Sequence, residues 1–142
     1  MKDATFYIIS EFYRLLNGVI SVPVFSTQKD TTSNESRYVV VTPAFDEQSG
    51  SKDRFNGNYY VNVDVCDIVP DNAQSWEATI GICNEVLDII CPDTQLKALS
   101  DNADFAVLGT RNVRSRNMPV LRTGTEMIMR KVLEFEVFIS QK

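Results

Sequence analysis

The sequence predicts a single α+β domain spanning 1–142: a twisted, mainly antiparallel sheet with two helices packed on one face, in the order α-β-β-β-α-β-β. Three observations predict it. Two segments, 3–18 and 70–93, place apolar residues at helical spacing between capping signals. Several β-branched runs alternate apolar and polar residues, which gives one buried and one wet face. No linker, internal repeat or low-complexity segment divides the 142 residues.

The first helix starts after Asp3, a good N-cap. Phe6, Ile9, Tyr13 and Leu16 share one face, with Phe12 beside them, and are the expected core stripe. Gly18 stands where a C′ glycine ends a helix. VISVPVF (19–25) reads as an extended segment, and Pro23 suits an edge because it cannot donate to a ladder. STQKDTTSNES (26–36) reads as a polar loop and RYVVVTPAF (37–45) as a strand. DEQSGSKDRFNGN (46–58) reads as a second long hydrophilic loop. YYVNVDVCDIV (59–69) is the clearest strand, with Val61, Val63 and Val65 inward and Asn62, Asp64 and Cys66 outward. Residues 37–69 then make a hairpin with a tip longer than the usual two to five residues.

Pro70 closes that strand, Asp71 or Asn72 caps the second helix, and Pro92 ends it. Its expected core stripe is Trp76, Ile80, Cys83, Val86, Leu87 and Ile90. Gly81 carries a helix penalty that a close approach to the sheet would explain. DFAVLGTRNV (104–113) and EMIMRKVLEFEVFIS (126–140) are expected to pair. Leu133, Phe135, Val137 and Ile139 face the core there, with RSRNMPVLRTG as a long connection.

Composition narrows the function. A content of 44% hydrophobic and 23% charged residues is that of a soluble globular protein, and no apolar run reaches the roughly 20 residues of a membrane span. The opening segment has Asp3, Glu11 and Arg14 among its apolar residues, unlike a secretory leader, so a cytosolic site of synthesis is expected. There is no histidine, which excludes Ser-His-Asp and Cys-His mechanisms. Cys66, Cys83 and Cys91 form no CxxC and read as reduced, buried thiols. The six glycines make no GxGxxG motif and no P-loop. Asp64 and Asp67 flank Cys66, and Asp46 with Glu47 opens a loop. None falls in a calcium-loop pattern, so Asp64 reads as the wet side of its strand. No catalytic residue, metal site or cofactor is expected.

Charge is unevenly spread. Arg111, Arg114, Arg116, Arg122, Arg130 and Lys131 stand against Glu126 alone, so 111–131 carries +5. The whole chain carries −5, which leaves −10 for the rest. The stretch RNVRSRNMPVLRTG (111–124) holds four of these arginines with no aromatic interleaved. A pI of about 4.7 is far from that of a dedicated nucleic-acid domain. Three readings stay open: a contact with another protein or a second subunit, a backbone-only contact with DNA, or a solvated loop. Phe55, Tyr59 and Tyr60 are interface anchors or local packing, and of these Phe55 and Tyr60 are carried forward as contact candidates.

In order and spacing, the chain resembles the tail-completion proteins of tailed bacteriophages, the family of tail terminators and head–tail joining proteins. The likeness covers about 4–140. It rests on a helix ending in GVISVPVFS, then RYVVVTPAF, the unit YYVNVDVCDIVPDNAQSWEATIGICNEVLDII, and the closing strand RKVLEFEVFIS. The resemblance implies a virion structural protein that forms a ring, often a hexamer, at the tail end or neck. Its neighbours would be portal-adaptor and tail-tube proteins, with DNA passing through its channel. Two other classes are a small cytosolic enzyme with a carboxylate site and a monomeric adaptor taking a peptide at an open sheet edge.

Overall fold

The β-branched runs form one six-stranded sheet in a computed structural model that describes residues 2–26, 35–51, 54–70, 76–92 and 98–142, with backbone alone for 48–51 and 54–55. The elements are α1 (Thr5–Leu16), β1 (Val24–Ser26), β2 (Arg37–Ser51), β3 (Arg54–Pro70), α2 (Glu77–Ile90), β4 (Phe105–Asn117), β5 (Leu121–Thr123) and β6 (Glu126–Gln141). This is the expected order with one short strand, β5, added. The sheet runs β1-β2-β3-β6-β4, and β5 pairs with β6 alongside β4. Among the described residues only the β1–β2 pairing is parallel. No helix among the described residues is long and apolar enough to cross a membrane.

Both helices pack on one face of the sheet. Val39, Val41, Val61, Val63, Val65, Leu133, Phe135, Val137 and Ile139 meet them there, as the period-two alternation requires. Pro23 precedes the edge strand β1, and its carbonyl accepts from the Val39 N–H at 3.0 Å. Gly18 follows the C-cap Asn17 at φ +77°, a left-handed turn open to glycine at little cost.

Each helix buries part of the expected stripe, Ile9, Phe12 and Leu16 in α1 and Cys83, Val86 and Ile90 in α2, and turns the rest away. In α1 the buried residues are Ile8, Ile9, Phe12 and Leu16, joined by Ala4, while Phe6 is 84% exposed and Tyr13 is also exposed. α1 is apolar on more than one side, and sheet packing selects the i, i+4 stripe Ala4–Ile8–Phe12–Leu16. The small Ala4 lets the helix start close to β3, where its N–H donates to the Tyr59 hydroxyl at 3.2 Å. Phe12 meets Phe135 edge-on, with ring centroids 5.6 Å apart. Asp3 accepts from the Thr5 N–H at 2.8 Å and from its hydroxyl at 2.6 Å, which holds the Asp3 carboxyl below its usual range.

In α2, Thr79, Ile82, Cys83, Val86 and Ile90 are buried, whereas Ile80 is exposed and Leu87 half-buried. Trp76 packs instead on a second small cluster of Val69, Met127 and Met129. Gly81 lies on the outer surface with open space where its Cβ would be, so no close approach to the sheet explains it. α2 starts later than expected, at Glu77 with Trp76 at the N-cap and no side-chain cap bond, so neither Asp71 nor Asn72 caps it. Of the loop expected over 26–36, Ser26 ends β1 and 27–34 lie outside the described residues.

Two expected loops are strand. β2 and β3 stay paired from Asp46 opposite Tyr59 to Ser51 opposite Arg54, so most of 46–58 belongs to the hairpin itself. β4 runs on to Asn117, the Met118 N–H donates to the Arg130 carbonyl at 2.9 Å, and β5 continues along β6. The connection shrinks to Gly124, at φ +59°, and Thr125. Asp46, Glu47 and the stretch 114–117 are exposed, and their backbone ladders need no apolar side chains.

Candidate functional site

Among the described residues the other face of the sheet carries no helix, and most of RNVRSRNMPVLRTG is strand, in β4 and β5 beside β6, rather than a loop. Strand register sets its side chains in rows. Phe45, Tyr60, Glu136 and Arg111 form one row from β2 to β4. The next is Thr42, Asn62, Glu134 and Arg114, followed by Val40, Asp64, Val132 and Arg116. Tyr38, Cys66 and Arg130 come after, and Ile68, Ile128 and Leu121 close the face.

The rows are held by charge. Arg111 Nε donates to Glu136 Oε2 at 2.6 Å, and the Tyr60 hydroxyl donates to Glu136 Oε1 at 3.0 Å. Phe45 stacks on Tyr60 at 4.1 Å, and the Arg111 guanidinium lies 5.8 Å over the Phe138 ring. Arg114 makes two bonds to Glu134, at 2.8 and 3.3 Å. Arg130 grips Asp64 with both Nε and Nη2, the former at 3.3 Å. Glu134 and Glu136 are only 4% and 2% exposed without any helix above them. The arginine stems cover them while the Arg111 and Arg114 side chains stay 64% and 58% exposed. A buried carboxylate without such a partner would be costly.

Tyr60's bond to Glu136 raises its phenol, since the carboxylate stabilises the O–H form. Burial pushes the Cys66 thiol up to about 11 and the Tyr38 phenol up to about 12. Cys66 and Cys83 are buried free thiols, and Cys91 is half-buried.

Beyond the ion pairs the face hollows into an open concavity of about 560 Å³, bordered by Tyr38, Val40, Asp64, Arg116, Leu121 and Arg130. Arg116 opens onto it. Arg122 lies in β5 opposite Met127 and is exposed. Thus Arg111 and Arg114 are engaged within the chain, and the +5 of their segment is partly cancelled in space. Tyr60 packs locally, between Phe45 and Glu136. Phe55 lies in β3, and its side chain is outside the described residues. Among the described residues, no three Cys, Asp or Glu side chains converge as a metal ion would need.

The residues that sequence reading missed here are Glu134, Glu136 and Asp64, the partners of the arginines. An unbulged ladder counted back from Thr123 opposite Glu126 would set Arg111 opposite Phe138, since both lie twelve residues from that pair. Irregularities between Asn112 and Arg114 and between Met118 and Val120, where β4 gives way to β5, bring Arg111 to Glu136 instead. Alternating acids facing spaced arginines were the available signal, but it lacked a register. No known protein-family model matches the chain, and no curated protein is detectably similar to it.

Proposed function

We propose that this chain is a non-enzymatic structural subunit of a virion, forming a ring, with a hexamer expected, at the head–tail junction or the end of the tail tube. The observation that carries this reading is a sheet with helices on one face only, whose other face is stiffened by its own ion-paired rows. Such a face offers shape and fixed charge to a neighbour. The order and spacing of elements in the tail-completion family support the same reading. Its neighbours would be further copies of itself, a portal-adaptor or neck protein, and tail-tube protein.

Contact with passing DNA would fall to Arg116, because Arg111 and Arg114 already sit over carboxylates that repel phosphate. A peptide-binding adaptor would use the β4 edge, but two irregularities, between Val107 and Gly109 and between Asn112 and Arg114, interrupt the ladder it would offer. The test is genetic. Silencing the gene in its parent phage should yield heads and tails that fail to join, and intact particles should contain the chain in a fixed ratio to tail-tube protein. Joined, infectious particles lacking the chain would overturn the proposal.

A further inference from the structure

Two surfaces on opposite sides of the subunit match each other. The first is the outer stripe of α2: Glu77, Ile80, Gly81, Asn84 and Asp88, all exposed at helical spacing. α2 contains three acids, Glu77, Glu85 and Asp88, and no lysine or arginine. Its centre is apolar, with Ile80 44% exposed. Beside Ile80, Gly81 leaves open space. A glycine inside a helix costs about 1 kcal/mol relative to alanine, and nothing among the described residues fills the gap.

The second surface is the concavity on the helix-free face. Val40 on β2 and Leu121 on β5 stand at its two sides with Ile128 nearby, the ion-paired Asp64 and Arg130 lie between them on β3 and β6, and Arg116 stands on β4. Leu121 is 53% exposed. Apolar side chains and charge thus stand together on both surfaces, with Glu77 and Asp88 exposed on α2 and Arg116 exposed beside the concavity.

We infer that α2 of one copy seats in the helix-free concavity of the next. Ile80 meets the apolar side chains of the concavity, Leu121 of the receiving copy fills the gap over Gly81, and Asp88 lies toward Arg116. The occupant is a second copy because the acidic stripe and the Arg116 that complements it belong to the same chain. Since the two surfaces lie on opposite sides of the sheet, the contact is head-to-tail, and repeated with a closing rotation it makes a ring. This rests on the ring reading above and adds the surfaces that meet.

The test is sedimentation of the full chain over a range of concentration and salt. The wild-type chain should form oligomers that dissociate as salt rises. Arg116→Glu and Asp88→Arg should each weaken association by at least about tenfold, and the two together in one chain should restore it. Gly81→Trp should abolish association while leaving the thermal midpoint of the folded monomer in place. A wild-type chain that stays monomeric at all concentrations, or oligomers indifferent to all three changes, would overturn the inference. Particles that contain the chain but tolerate these variants would sink this contact and spare the virion reading. Oligomers that respond as expected, from a chain absent from particles, would do the reverse.

Discussion

Arg111 and Arg116 lie five residues apart on β4, yet their replacement should have opposite consequences. Arg111→Met keeps the stem and removes the charge, which leaves the buried Glu136 carboxylate without its cation. A loss of about 1–3 kcal/mol is expected in urea unfolding. Arg116→Met, at an exposed position, should stay within about 0.5 kcal/mol and act on association instead. Equal losses from the two would contradict the ion-paired rows. The thiols give a pH signature. Burial raises Cys66 and Cys83 to about 11, above the roughly 8.5 of an exposed thiol. A raised folded value means that stability is complete below the unfolded value. It should fall as pH climbs from about 8.5 to about 11, because the unfolded chain releases those protons first. Urea midpoints that stay flat across that window would contradict it. The residue identities in RNVRSR were plain from the start; their partners were not, because pairing depends on a bulged register.

At the scale of elements, α1 tests how a helix chooses its face. Phe12→Ala should cost about 3–5 kcal/mol, since the ring is buried against Phe135, whereas Phe6→Ser should change stability by about 0.5 kcal/mol or less. The reverse ranking would restore the Phe6–Tyr13 stripe that periodicity favours. Periodicity located both helices but misjudged their rotation. α1 and α2 carry apolar residues around most of their circumference, and only the sheet beneath decides which stripe is covered. The β4–β5–β6 hairpin makes a similar point. Its turn at Gly124 is left-handed, so Gly124→Val should lower the thermal midpoint, by the equivalent of about 1–2 kcal/mol. An unchanged midpoint would mean that the turn tolerates another conformation. Polar strand stretches such as 46–47 and 114–117 resemble loops in sequence because burial, the usual strand signal, is missing where a ladder runs along solvent.

For the whole molecule, asymmetry is the main result: helices on one side, an arginine-bordered concavity on the other, and acids on the outer helix. Sequence by itself determined the α+β class, the order of elements, the valine and β6 core faces, the Gly18 stop and the uneven charge. All of these follow from local periodicity, backbone propensity and composition, which do not depend on distant residues. Tertiary structure alone decided which helix stripes are buried, that two apparent loops are strand, and that Arg111 and Arg114 spend their charge on Glu136 and Glu134. Those outcomes depend on strand register and on competition between surfaces for burial, and both are set only when residues far apart in the chain are brought together.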